Sequence, residues 1–276
     1  MMQSQAAGGS PGGSTTTNRR SWNASTPLKR GGVTSSCLLR VKRDIADFAS
    51  NAPSGIYIAA ADNDTATIDA MVIGPSGTPY EGGFFRFFIR CPAAYPIEPP
   101  SVRFLTTDGG RVQMHPNLHK NGDVSLSVID NSLVPAWSPA QSLTSLLISI
   151  RSLFTGDPLY DAAHAVRGQL DYSAECYREF VRHESIRIAV CDTVESYLQD
   201  HPPLPRAFRG TVLKTFAKFY SKYEKALMEQ KRLNGAEMFD LIGGTKGTFQ
   251  PDSLLARLRD IREKVAERDN AFALCV

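Results

Sequence analysis

The chain has 276 residues, 42% of them hydrophobic and 21% charged, with 31 Lys and Arg against 28 Asp and Glu. At roughly 150 residues per domain the length points to about two domains. The net charge of +3 is concentrated in residues 1–36, where Arg19, Arg20, Lys29 and Arg30 face no acid, so the rest of the chain carries −1. A near-neutral body excludes a dedicated nucleic-acid binder. No run approaches the ~18–20 apolar residues of a bilayer span, and the first residues hold no apolar segment of signal-peptide type. The expectation is a cytoplasmic protein with no membrane or nucleic-acid partner. The pairs Arg19-Arg20 and Lys29-Arg30 are a weak nuclear-import candidate, against the simpler reading of a solvated tail.

Five scattered cysteines (Cys37, Cys91, Cys176, Cys191, Cys275) form no CxxC or Cys/His pair. They read as reduced thiols, without a disulfide framework, zinc site or cofactor. The sequons at Asn23 and Asn63 are then chance matches.

Half of residues 1–36 are Gly, Ser or Thr, too little apolar surface to offset ordering entropy, which predicts a disordered tail. From Cys37 onward Leu38, Val41, Ile45 and Phe48 recur at helical spacing and predict an amphipathic first helix. Strand-like runs follow at 56–58, 68–73, 84–90 and 102–105. Turn signals such as Pro53-Ser54-Gly55 and Gly74-Pro75-Ser76-Gly77 separate them. Short connections between successive strands predict a four-stranded antiparallel meander. A long irregular stretch, Thr106 to Trp137, is of a length more often functional than not. It ends at Ser138-Pro139-Ala140-Gln141, which predicts a capping box with proline at the first helical position. The helix behind it puts Leu143, Leu146, Leu147, Ile150, Leu153 and Phe154 on one stripe.

After about Asp171 the periodicity is helical throughout. One stripe runs through Tyr177, Val181, Ile188, Cys191 and Leu198, a second through Phe216, Tyr220, Tyr223 and Leu227, and a third through Leu254, Leu258, Ile261 and Val265. Pro202-Pro203 and Gly243-Gly244 break the pattern. No repeat and no catalytic cluster is visible in this part.

Chemistry concentrates between Tyr80 and Asp161. Tyr95-Pro96-Ile97-Glu98-Pro99-Pro100 leads into a strand, His115-Pro116-Asn117 follows, then Gly122-Asp123-Val124-Ser125-Leu126, then Trp137-Ser138-Pro139-Ala140. With these four landmarks in order, residues 37–165 resemble the ubiquitin-conjugating enzymes. Further stretches resemble the Z class of that family. They are Cys37-Leu38-Leu39-Arg40, Thr78-Pro79-Tyr80-Glu81-Gly82-Gly83-Phe84-Phe85, Pro135-Ala136-Trp137, His183-Glu184-Ser185-Ile186-Arg187 and Val190-Cys191-Asp192. The resemblance implies an α+β ubiquitin-conjugating fold: N-terminal helix, four-strand antiparallel meander, active-site loop and helices, with an all-helical C-terminal extension. The corresponding division is a tail at 1–36, a core at 37–168 and the extension at 169–276.

Such enzymes accept ubiquitin as a thioester from an activating enzyme and pass it to a lysine, usually with a ligase. The Z class is charged by the less common of two ubiquitin-activating enzymes, and in some animals also carries a ubiquitin-like modifier. The resemblance therefore implies three partners: ubiquitin or a ubiquitin-like modifier, an activating enzyme and a ligase.

The departure is at the nucleophile. The family's thiol stands eight positions after the Asn of the HPN triplet, and counting from Asn117 reaches Ser125. A cysteine of pKa about 8.5 supplies thiolate at neutral pH. A serine hydroxyl is a weak nucleophile unless a base takes its proton, and no base is visible nearby in the sequence. An oxyester is also the poorer acyl donor, because alkoxide leaves less readily than thiolate. Transfer of thioester type through Ser125 is therefore expected to be impaired. Three readings remain: a substitution of the kind introduced to trap the modifier as a stable ester, a natural non-catalytic variant that binds a modifier or partner as an adaptor, or slow ester chemistry.

By the same resemblance, Asn117 donates its side-chain amide to the oxyanion formed when lysine attacks, or instead holds the loop by hydrogen bonds. Asp161, 24 residues after Trp137, matches the acidic gate beside the nucleophile, with Asp157 an equal candidate. Arg40, Lys42 and Arg43 match the face that meets the activating enzyme, and Ile97, Pro139 and Ala140 the residues that contact ligases. Trp137 reads as a loop-pinning core residue, and Cys37 and Cys191 as inert core thiols. No P-loop, GxGxxG or metal-ligand spacing supports a nucleotide or metal enzyme.

Overall fold

The computed structural model describes residues 34–61, 64–129, 137–159 and 170–273. Most of the N-terminal tail, Asn63, Asp161 and Cys275 lie outside the described residues. The first helix, α1, spans Ser35–Ser50 and starts two residues ahead of Cys37, because the Thr34 side chain accepts a hydrogen bond from the Cys37 N–H and caps it. Its inward face is Cys37, Val41, Asp44 and Phe48, with Leu38 and Ile45 only half-buried. A carboxylate thus occupies a position that apolar periodicity does not reveal.

Four strands follow, β1 (Ile56–Ala61), β2 (Asp64–Ile73), β3 (Phe84–Arg90) and β4 (Ser101–Phe104), paired antiparallel in the order β1-β2-β3-β4. The register sets Val72 opposite Phe85 and Ile73 opposite Phe84. β2 does not alternate: Ala66, Ile68, Ala70, Met71, Val72 and Ile73 are all buried, which requires cover on both faces of the sheet. On one face Ile68, Ala70, Val72, Phe85, Phe87 and Ile89 join a core with α1 and with α2 (Leu143–Arg151). On the other, Met71, Ile73 and Phe84 pack with Val190, Tyr197, Phe216, Tyr223 and Leu258 of the C-terminal region.

That region comprises α3 (Leu170–Glu184), which continues through a π-helical stretch Ser185–Asp192 into α4 (Thr193–Leu198), then α5 (Arg209–Gln230) and α6 (Pro251–Ala273). The predicted stripes are buried, apart from Leu198, which is only partly covered. Between α5 and α6 the chain forms a hairpin of β5 (Glu237–Phe239) and β6 (Lys246–Thr248), so the extension is helical except for this element. Strands of three residues carry too little alternation to register as a periodic signal, and the Gly243-Gly244 pair reads as a breaker where it is the hairpin's turn.

The start of α2 also differs from expectation. Ser138-Pro139-Ala140-Gln141 is a turn ahead of the helix, closed by the Gln141 N–H donating to the Ser138 carbonyl at 2.9 Å. The capping box lies four residues later: the Ser145 N–H donates to Ser142 Oγ at 3.3 Å and the Ser142 N–H to Ser145 Oγ at 3.0 Å.

Asp44, 3% exposed, ties these pieces together. Its carboxylate accepts from Arg40 Nε at 2.8 Å, from the Tyr95 hydroxyl and from the Leu143 N–H at 3.3 Å, the first backbone donor of α2. Arg40 extends the knot, donating to the Pro139 carbonyl at 2.9 Å and the Gln141 carbonyl at 2.6 Å. Burial, and then the bond to the Asp44 carboxylate, raise the Tyr95 phenol well above its ordinary range, so it stays a donor. A second charged knot holds the extension. Arg187 donates to Glu184 and, at 2.7 Å, to Asp108 in the loop after β4. Burial alone would raise the Glu184 carboxyl, but hydrogen bonds from His183 and Arg187 hold it below its ordinary value.

Two outcomes are expected. Asp44→Asn leaves Arg40 without its ion-pair partner and lowers stability by about 2–4 kcal/mol in denaturant unfolding; a change below ~0.5 kcal/mol contradicts the knot. Because Glu184 and Asp108 are both held below their unfolded range, they contribute stability that is present above about pH 4.3 and lost as pH falls through their folded values. Arg187→Met removes that component, so its stability deficit shrinks on acidification below about pH 4. A deficit constant with pH contradicts the assignment.

Candidate active site

The stretch 106–129 is irregular by element but densely bonded. Val112, Met114, Leu118 and Leu126 anchor it in the core. The Tyr80 hydroxyl donates to the Met114 carbonyl at 2.8 Å and the Tyr177 hydroxyl to the Gln113 carbonyl at 3.2 Å. The β5–β6 hairpin braces the same stretch from the C-terminal region. Asp240, fully buried, accepts from the Ile242 and Gly243 N–H groups at 3.0 and 2.8 Å and from the Gln113 N–H at 3.4 Å. Lys120 Nζ donates to the Gly243 carbonyl at 2.6 Å, and Thr245 Oγ1 to the Arg111 carbonyl.

Within this frame residues 117–125 fold back on themselves. The Ser125 N–H donates to the Asn117 carbonyl at 2.8 Å, the His119 N–H to the Asp123 carbonyl at 2.9 Å and the Gly122 N–H to the His119 carbonyl at 2.8 Å, with a bridge between Leu118 and Val124. Gly122 turns the chain at φ +91°, and a Cβ there would meet Arg103 Nε at 2.9 Å, so only glycine fits. Alternation along the two antiparallel arms sets Leu118 and Val124 toward the core. Asn117, His119, Asp123 and Ser125 fall on the opposite face.

Ser125 is exposed at the end of one arm. His119 reaches it diagonally, Nε2 lying 3.0 Å from Ser125 Oγ. An imidazole therefore stands beside the serine, where the sequence shows no candidate base. The contact runs across a turn rather than along the chain, and only pairing position 117 with 125 and 119 with 123 in a hairpin would have exposed it. The Asn117 N–H donates to Nδ1 of buried His115 at 3.0 Å, so His115 holds the loop from below. The side-chain amide of Asn117 has no hydrogen-bond partner among the described residues.

The remaining candidates separate. Asp161 lies outside the described residues. Asp157 is half-buried, and its Oδ1 is enclosed with no hydrogen-bond partner among the described residues. Lys42 and Arg43 are exposed on α1, whereas the Arg40 guanidinium is turned inward and spent on Asp44, Pro139 and Gln141. Ile97 is 74% exposed, and Pro139 and Ala140 are exposed beside it. The two loops that carry them are joined beneath by buried Trp137, whose Nε1 donates to the Pro96 carbonyl at 2.8 Å.

Three of the described cysteines are shut away from solvent. Cys37, Cys91 and Cys191 are buried, and burial pushes the thiols of Cys91 and Cys191 up to about 12, which keeps them protonated and inert. Among the described residues no group of His, Cys, Asp and Glu could hold a metal ion, and no helix is long and apolar enough to cross a membrane.

Comparison with known proteins agrees with this geometry. A family model described as ubiquitin-conjugating enzyme matches residues 40–184. Ubiquitin-conjugating enzyme E2 Z of Homo sapiens is 43% identical over 232 residues, covering 84% of this chain and 64% of the human protein. The Xenopus tropicalis protein of the same name is 39% identical over 260 residues, covering 94% of this chain and 82% of its own. Ubiquitin-conjugating enzyme E2 2 of Saccharomyces cerevisiae is 35% identical over 134 residues, 49% of this chain. The chain thus spans less than two thirds of the human relative's length. The four-stranded meander flanked by helices and the match over residues 40–184 converge with these relatives: the chain belongs to the ubiquitin-conjugating enzyme family.

Proposed function

We propose that this chain works in the ubiquitin transfer pathway on a conjugating-enzyme scaffold whose onward transfer to lysine is impaired. The observation that carries the reading is the hydroxyl of Ser125 at the family's nucleophile position, exposed on the hairpin face it shares with Asn117. An acyl group held there is an oxyester, a poorer donor to an amine than a thioester. Partners follow from the family: ubiquitin or a ubiquitin-like modifier, an activating enzyme and a ligase. The exposed cations Lys42 and Arg43 on α1 suit the activating enzyme, with Arg40 fixing the adjoining loop rather than meeting it. Ile97, Pro139 and Ala140 form the apolar surface for a ligase. Asn117, its amide uncommitted, is placed to donate to a developing oxyanion. Asp161, or Asp157, is the acid that would orient an incoming lysine.

The second reading is a non-catalytic adaptor that binds a modifier or a partner protein. The exposed Ile97–Pro139–Ala140 surface favours it, since that surface requires no nucleophile.

A charging assay with ATP, ubiquitin and each ubiquitin-activating enzyme separates the two. Ser125→Cys is expected to gain an adduct that thiol reagents remove, while the chain with Ser125 gives none of that kind. If the Cys variant takes up no ubiquitin from either activating enzyme, the transfer reading is lost and the adaptor reading replaces it.

A further inference from the structure

A conjugating-enzyme thiol needs no partner to deprotonate it, because thiolate is already present at neutral pH. A serine at the same place needs a base within hydrogen-bond reach, and the hairpin supplies one. His119 Nε2 is 3.0 Å from Ser125 Oγ, within the 2.6–3.2 Å range of a nucleophile–base pair. The backbone that carries the pair is held in place. Ser125 and His119 are fixed by main-chain bonds to Asn117 and Asp123, the turn between them by Gly122, and the outer edge of the loop by Lys120 and the Asp240 hairpin. Both side chains remain open to solvent at least in part, so an acyl carbon can approach Ser125 Oγ.

We propose that His119 and Ser125 form a catalytic dyad that takes the C-terminal acyl group of ubiquitin or a ubiquitin-like modifier from a thioester donor as an oxyester. This rests on the family reading of position 125 as the acceptor. In the step, His119 Nε2 removes the Ser125 hydroxyl proton while Oγ forms a bond to the thioester carbonyl carbon. The tetrahedral oxyanion collapses with cleavage of the carbon–sulfur bond. The proton on His119 passes to the departing thiolate, giving a thiol and the neutral dyad acylated on serine. No oxidant or reductant is involved; the co-reactant is the donor thioester. The base role requires the tautomer with its proton on Nδ1, leaving Nε2 as acceptor.

The test is the charging assay with five proteins: the chain as it stands, His119→Gln, His119→Gly, Ser125→Cys, and the double variant that joins His119→Gln to Ser125→Cys. The readout is the adduct that resists thiol but is cleaved by hydroxylamine or mild alkali. The unaltered chain is expected to form it, and His119→Gln to form it about 100-fold more slowly or worse, the usual contribution of a positioned base. The double variant is expected to form the thiol-sensitive adduct about as fast as Ser125→Cys, which shows that the site still folds and meets its donor. Added imidazole should restore part of the ester-forming rate to His119→Gly, which a purely structural histidine would not allow.

Three results overturn the proposal. In the first, ester forms equally fast without His119. In the second, no ester forms on the unaltered chain although Ser125→Cys charges; the family reading then stands and the dyad falls alone. In the third, Ser125→Cys fails to charge with either activating enzyme, and dyad and family reading fall together.

Discussion

The architecture depends on a sheet whose second face is also covered where β2 meets β3. Met71, Ile73 and Phe84 are buried on the side away from α1 and α2, and fully burying each such side chain is worth about 1.5–3 kcal/mol. Exposing all three would cost roughly 5–9 kcal/mol, comparable with the whole stability of an ordinary domain. The helices α4, α5 and α6 are therefore part of the structural solution to a β2 strand that is apolar on both sides. Close approach sets their seat. The Tyr223 hydroxyl donates to the Gly82 carbonyl at 2.9 Å, and a Cβ at Gly82, φ +72°, would stand 2.5 Å from that hydroxyl. The packing role of Gly82, in the β2–β3 connection, is visible only in three dimensions.

Once seated, the extension reaches the chemistry by a second route. The β5–β6 hairpin projects from between α5 and α6 onto residues 111–120, and Asp240 satisfies backbone donors of both partners, Gln113 on one side and Ile242 and Gly243 on the other. A buried carboxylate that accepts several N–H groups pins both segments at once, because losing either would leave polar groups unsatisfied away from water. Asp44 joins separate segments in the same way where α1, Tyr95 and the N-terminus of α2 meet.

Much of this was legible in sequence. The meander, the α2 stripe and the helical stripes of the C-terminal region follow from spacing alone, because their signal is periodic burial. What escaped was of a different kind. Asp44 sits in an apolar stripe where a charged residue is read as solvent-facing, and its burial depends on donors 51 and 99 residues away. The cap of α2 falls at Ser142, whose hydroxyl accepts the Ser145 N–H, whereas Ser138 and Gln141, although the Gln141 side chain accepts the Ser138 N–H, close a turn ahead of the helix. Arg40 lies on a helix face that reads as basic and solvated, yet its guanidinium turns to carbonyls about a hundred residues on. His119 escaped because proximity to Ser125 is a property of the turn at Gly122, not of the intervening sequence.

The nucleophile and its surroundings should be read as one unit. Judged alone, serine for cysteine replaces a group that ionises unaided with one that does not, and the site looks disabled. Judged with His119, the same position holds a hydroxyl and an imidazole nitrogen at hydrogen-bond distance on one hairpin face. The two judgements differ in the step they affect. A base beside serine assists the arrival of an acyl group, where the leaving thiolate is good. It does little for departure toward an amine, where the serine alkoxide must itself leave. With the dyad proposed above, such a site would favour loading over release.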